Sequence, residues 1–116
     1  MQIFTETIAI IRARRVPGEY GGWELDWDAP EVIPVEFPVS VQPLNTSTLE
    51  EGPSRHAVTA THALYTMPPY LLDELRDTDR VRVAGWPFDL TVEGKPAHWR
   101  TQHLAHTEVD LKETHG

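Results

Sequence analysis

The chain has 116 residues, with 10 Lys and Arg against 18 Asp and Glu and a formal charge of −8. That length leaves room for one domain of roughly 100 to 200 residues, and the charge argues against tight binding to a phosphate backbone or an anionic membrane surface. Cysteine is absent, which excludes disulfides, thiolate metal sites and cysteine nucleophiles.

Ile3 to Arg14 is rich in β-branched residues and free of Gly and Pro, which predicts one long strand, buried on both faces around Ile8 to Ile11. That apolar run is far shorter than the roughly 20 residues needed to span a bilayer. The charges of this N-terminal stretch follow its apolar residues and no small-residue cleavage site is present, so no secretory leader is read. A soluble chain, intracellular when made and with no membrane contact, is expected. Val16 to Pro30 holds Gly18, Gly21, Gly22, Tyr20, Trp23 and Trp27 without any period. It reads as an ordered loop whose rings fold back on the core's mouth or form a contact surface.

Ile33, Val35, Phe37, Val39 and Val41 alternate with polar residues and prolines, the cleanest period-two pattern in the chain and the second predicted strand. Pro34 and Pro38 share a parity, so they damage only one of its two ladders, which places the strand at a sheet edge or beside a gap. Asn45 to Arg55 has turn formers, acids and no period. It reads as a loop of about 11 residues, beyond an ordinary hairpin connection. His56 to Thr66 is the third strand, with His62 on its apolar parity as a core or rim histidine, and Pro68 and Pro69 end it. Tyr70 to Arg76 places Leu71 and Leu75 four apart, enough for one or two helical turns.

Arg80 to Ala84 and Pro87 to Val92 form a hairpin with Gly85 and Trp86 at its turn. Gly94, Lys95 and Pro96 then turn the chain toward Trp99, and Thr107 to Thr114 is the last strand. About six strands with at most one short helix, rich in Pro and Gly turns, predict an all-β fold, a small antiparallel β-barrel with long loops. Its core is expected from Ile8, Ile10, Val35, Phe37, Val39, Val58, Leu64, Val81, Val83, Phe88, Leu90, Val92, Val109 and Leu111.

Catalytic chemistry finds little footing. His98, His103 and His106 are spaced by five and three, which matches neither a helical zinc pair nor alternation on one strand face, so they read as solvated residues of a connector. The acid clusters Asp26 to Asp28, Glu50 to Glu51 and Asp77 to Asp79 fall in predicted loops of an acidic chain and read as solvated surface. No phosphate loop, nucleophile elbow or dinucleotide fingerprint is present. No enzyme activity, no cofactor and no metal are therefore expected. Single-strand nucleic-acid binding would need rings beside a basic groove. Between Arg15 and Arg55 there is no Lys or Arg, while Glu19, Glu24, Asp26, Asp28, Glu31, Glu36, Glu50 and Glu51 repel phosphate.

The order of several short stretches carries a resemblance: Leu64 to Pro69 (LYTMPP), Asp79 to Gly85 (DRVRVAG), Phe88 to Pro96 (FDLTVEGKP) and Trp99. Val41-Gln42-Pro43 upstream, with Glu50 or Glu51 and Arg55, and His106 to Leu111 at the end, continue it. Together they resemble the head-closure or stopper proteins of tailed phages. The resemblance implies a virion neck protein, a small β-barrel assembled in a ring, commonly of twelve copies, below the portal and head-tail adaptor. The tail or its terminator would dock beneath, and packaged DNA would pass through without tight binding. Leu49, Glu50, Glu51 and Gly52 are then expected to reach into the central channel. Trp23, Trp27, Pro34 and Pro38 are expected at contacts between neighbours. Alternatives are another neck or tail ring, such as a terminator or minor tail protein, and a cellular β-barrel module that binds proteins.

Overall fold

A computed structural model describes residues 3–44, 59–101 and 103–114. Among the described residues seven strands form one antiparallel sheet: β1 (Ile8–Pro17), β2 (Trp23–Pro34), β3 (Val39–Pro43), β4 (His62–Thr66), β5 (Arg80–Val83), β6 (Asp89–Trp99) and β7 (His106–Glu113). Their order is β2-β1-β5-β6-β7-β4-β3. The ladder does not close continuously, but the sheet curls until Glu6, ahead of β1, exchanges two backbone hydrogen bonds of 2.9 Å with Val39 of β3. The all-β, barrel-like expectation holds, and no helix occurs among the described residues.

The core follows from alternation. Ile8 and Ile10 of β1 oppose Val83 and Val81 of β5, Val81 opposes Leu90, Val92 opposes Leu111 and Leu64 opposes Val109. These residues, with Val35 and Val39, are buried in one cluster. Period-two geometry sends every such side chain to the same side of the sheet. Phe37 and Phe88, also expected inside, are only partly buried and pack against the cluster's rim. Val58 lies outside the described residues.

Several predicted elements are redrawn. The first strand begins at Ile8, later than Ile3. Val16 to Pro30 is not a loop: it forms the distal part of a β1–β2 hairpin, closed by Gly18 N–H donating to the Gly22 carbonyl at 2.7 Å, with Gly21 at φ 85. The stretch Ile33 to Val41 is two strands rather than one. Val35 donates its N–H to Ile8 while Val39 pairs with Glu6, so the chain bends between them. Alternation survives the bend because Val35 and Val39 both still point into the core. His56 to Thr66 shortens to β4 at its described end. Gly94, Lys95 and Pro96 do not turn the chain; they stand as a bulge within β6 opposite β7, between Glu93 and Ala97, with Gly94 at φ 73 supplying the left-handed residue such a bulge needs.

The segment read as helical, Tyr70 to Arg76, is a run of turns carrying bonds from Tyr70 N–H to Met67, Leu75 N–H to Leu72 and Asp79 N–H to Arg76. Leu72 and Leu75, three apart, are the residues buried at 1% and 4% exposure, not the pair Leu71 and Leu75. A relay of buried threonines holds this segment in place. Thr66 Oγ1 donates to the Tyr70 carbonyl and accepts from Thr107 N–H, and Thr107 Oγ1 accepts from Leu72 N–H. Local side-chain bonds of this kind satisfy the backbone in place of a helical ladder.

Candidate interaction surface

β2 and β3 are the two ends of the sheet order, so Pro34 sits on an edge strand while Pro38 falls in the bend between strands. Val35 directs its N–H at β1. Backbone groups alternate along a strand, so the N–H that Pro34 lacks is one that would face the free edge. The edge is thereby blunted against addition of another strand at that point, and contacts there must be made by side chains.

The distal half of the β1–β2 hairpin pairs Arg14 to Pro17 with Trp23 to Asp26, and most of its residues are exposed. Tyr20 is 97% exposed, Trp23 66% and Leu25 47%. The Arg15 guanidinium lies 5.2 Å from the Trp23 ring. Between this arm and the body of the sheet the register slips, with Trp27 to Pro30 spanning the gap while β1 spends only Ala13. Asp28 N–H donates to Asp26 Oδ1 at 3.0 Å across this bulge. Trp27 is half-buried, with the Arg80 guanidinium 3.8 Å from its ring centroid. Among the described residues no hydrogen-bond partner reaches the buried Arg80 Nε, and the ring face is what meets the cation. Ile11, on the parity opposite Ile10, is nevertheless 1% exposed, and its register neighbours are Val32 and Arg80.

A groove of about 380 Å³ runs beside the arm, lined by Arg15, Trp23, Leu25, Arg76 and the pair Arg12 and Asp79. Asp79 accepts from Arg12 Nε at 3.0 Å, from Arg12 Nη2 at 2.9 Å and from Arg76 N–H at 2.8 Å. Arg12 also donates to the Glu74 carbonyl at 2.7 Å. The hydrogen bonds to Asp79 raise the Arg12 pKa above its ordinary value, against the opposing effect of burial. This clamp ties β1 to the turns that cap the sheet. It makes Asp79 structural, whereas the sequence reading placed it among solvated acids.

The histidines are also better partnered than expected. His98 and His106 lie on paired strands, in the registers His98 with Thr107 and Trp99 with His106, rather than in a solvated connector; His103 is exposed in the intervening turn. His106 Nδ1 is 2.6 Å from the Leu104 carbonyl and Nε2 is 3.2 Å from Glu108 Oε1. The backbone bond first, and Glu108 after it, raise the pKa of His106 against burial. His98 Nδ1 is 2.8 Å from Thr107 Oγ1, and Asp73 next to it pairs with Arg100. His62 is buried, as expected, with Nδ1 2.9 Å from Thr61 Oγ1 and its ring edge-on to Trp86. Among the described residues no cluster of three or more His, Cys, Asp or Glu is arranged to hold a metal ion, and no helix is long and apolar enough to cross a membrane.

Of the expected site residues, Trp23, Trp27 and Pro34 share β2, with Trp23 on the free arm, Trp27 in the bulge and Pro34 at the far end. Pro38 is not brought to them. Leu49, Glu50, Glu51 and Gly52 lie outside the described residues. Arg15 and Arg76 were given no role from sequence, where their signal was the scarcity of cations in an acidic chain, and Arg80 entered only within the stretch Asp79 to Gly85.

No protein family model matches the chain, and no curated protein matches it. The solution structure of protein SF1141 from Shigella flexneri 2a is similar in fold, with a TM-score of 0.60 over 97% of this chain and 96% of that one at 17% sequence identity. At that identity the likeness concerns the fold alone.

Proposed function

We propose that this chain is a structural subunit of a tailed-phage neck, a head-closure or stopper protein. It would assemble into a ring below the portal and adaptor, retain packaged DNA and present a docking surface to the tail. The resemblance running from Val41 to Leu111 motivates this reading, and the β1–β2 arm is the observation that carries it furthest. A two-stranded ribbon is marginal in water by itself, yet this one leaves Tyr20, Trp23 and Leu25 exposed. An arm of that composition suits burial against a neighbour.

The charge of −8 supports the same reading. Acids around a channel deny DNA the counterion-release affinity that Lys and Arg would create, so a genome could pass without sticking. A tail terminator, usually mixed α/β, fits less well with seven strands and no helix among the described residues. The test is electron microscopy of virions from a phage lacking this chain. Free tails beside empty or leaking heads are expected; intact, filled and tailed virions would refute the assignment.

A further inference from the structure

The outer edge of β2 is guarded along the body of the sheet and open along the arm. In the body, Val35 N–H donates to the Ile8 carbonyl, and the register pairs Ala9 with Pro34, Ile10 with Ile33 and Ile11 with Val32. Bonded and unbonded pairs alternate in an antiparallel ladder, so Val32 and Pro34 turn their backbone outward. Pro30 and Pro34, which carry no N–H, flank Val32 there. On the arm, Gly18 N–H donates to the Gly22 carbonyl at 2.7 Å, and the pairs run Pro17 with Trp23, Val16 with Glu24, Arg15 with Leu25 and Arg14 with Asp26. Counting on from Gly18 and Gly22, Val16 and Glu24 form the next bonded pair. Trp23 and Leu25 therefore turn both N–H and C=O away from β1, and β2 has no strand on that side.

The side chains along this open edge are sorted by face. Trp23 and Leu25 share one face of the ribbon with Arg15 and Pro17, and Glu24 and Asp26 share the other with Arg14 and Val16. Trp23, Glu24 and Leu25 are exposed. Across the ribbon Glu24 meets Val16, and among the described residues neither Glu24 nor Asp26 is ion-paired. We propose that this edge takes, as an added strand, an extended segment of another protein in which basic and apolar residues alternate. Main-chain bonds at Trp23 and Leu25 hold such a strand. Cross-strand neighbours about 4.5 to 5.5 Å apart set its Lys or Arg beside Glu24 and Asp26 and its apolar residues beside Trp23 and Leu25. A second copy of the same edge is a poor occupant. Aligning Trp23 with Leu25 of the copy sets Glu24 against Glu24, and aligning Leu25 with Leu25 sets Glu24 against Asp26, like charges directly opposed. The docking goes beyond the ring reading and does not depend on it, because an added strand lies alongside the ribbon and leaves its faces to a neighbouring subunit.

Amide hydrogen exchange of the full chain, read residue by residue by NMR, tests the docking with synthetic peptides. Saturating KVKVKV should slow exchange at Trp23 and Leu25 by at least about tenfold. KKKVVV, which has the same composition and charge without alternation, and EVEVEV should leave both amides unchanged. L25P removes an outward N–H without touching the ladder to β1, and should weaken KVKVKV binding by about tenfold, the worth of one hydrogen bond. E24K/D26K should lose KVKVKV and take up EVEVEV, with protection of the Gly18 and Glu24 amides reporting that the arm is still folded. No slowing with KVKVKV, or equal slowing with KKKVVV, overturns the added strand. Slowing at Trp23 and Leu25 that grows with protein concentration and needs no peptide assigns the edge to a second copy and overturns it as well. Electron microscopy of the same samples keeps the two readings apart. Assembled rings whose Trp23 and Leu25 amides exchange freely under every peptide refute the docking and leave the ring standing, whereas KVKVKV-specific slowing in a chain that never assembles upholds the docking without the ring.

Discussion

Replacing Asp79 by Asn tests the clamp that fastens β1 to the turns capping the sheet. The carboxylate is 1% exposed and the Arg12 side chain 18%, so the pair is largely shielded from water. Asn keeps the shape and one acceptor oxygen for the Arg76 N–H, but its amide donates toward a guanidinium that also donates, and the positive charge loses its hydrogen-bonded counterion and keeps only the weaker attraction of Glu31 and Glu74. Removing one partner of a buried ion pair costs about 3 to 5 kcal/mol. Arg12 retains its bond to the Glu74 carbonyl and some access to solvent, which places the expected loss near the lower end, roughly 3 kcal/mol. With a urea slope of about 1.5 kcal/mol per molar, the unfolding midpoint should fall by about 2 M. The loss should persist in high salt, because screening acts weakly on a shielded pair. The double variant R12M/D79L strands no charge. It should cost only about 1 to 2 kcal/mol, from the Arg76 N–H left without an acceptor. A midpoint shift for D79N below about 0.5 M, or one abolished by salt, would show that the clamp is a surface pair of the weak kind.

Leu90→Ala, at a position with 0% exposure, should cost about 2 to 5 kcal/mol in the same unfolding assay, whereas Phe37→Ala should cost only about 1 to 2 kcal/mol. The Phe37 ring is half-buried at the rim and stacked 4.8 Å from Tyr70; equal costs at the two sites would refute the distinction between core and rim. His106 has a raised pKa in the folded chain, so its protonation favours folding. That stability is fully present below the ordinary value of 6.5 and is lost as pH rises through the raised one. The stability difference between wild type and H106Q should therefore grow as pH falls from about 8 to about 6, and a difference that is flat or grows with pH would contradict the assignment. Fluorescence anisotropy with duplex DNA at about 0.15 M salt should show no saturable binding, and submicromolar affinity there would revive a nucleic-acid-binding barrel.

How far the fold was legible in the sequence depends on how far each segment is one-sided. Val81, Val83, Leu90, Val92, Val109 and Leu111 alternate because one face of their strands meets the core and the other meets water, and period-two reading found them all. The same signal misled between Pro34 and Val39. Alternation reports which way side chains point, not whether the backbone between them runs straight, so a bend that keeps Val35 and Val39 inward is invisible to it. Leu72 and Leu75 were missed as the buried pair because helical spacing was imposed on a segment whose bonds span three residues. The Thr66–Thr107 relay that fixes this segment links residues 41 apart in sequence, and no local pattern encodes a contact at that separation.

The arm is the instructive failure, because what hid it is also what gives it meaning. A strand announces itself by alternation only when some surface of its own chain selects apolar residues on one face. From Arg14 to Asp26 most of the residues are exposed and one ribbon face meets its own chain only at the open groove beside Arg76 and Asp79, so Glu19, Tyr20, Trp23, Glu24 and Leu25 follow one another without period and the stretch reads as a loop. The composition was nonetheless unlike a solvated loop: rings and Leu25 sit among the acids, and the chain's scarce arginines stand just upstream at Arg14 and Arg15. In the neck ring proposed above, the surface that covers Tyr20, Trp23 and Leu25 would be the adjacent subunit, and a strand selected by a neighbour carries no period that its own core can impose.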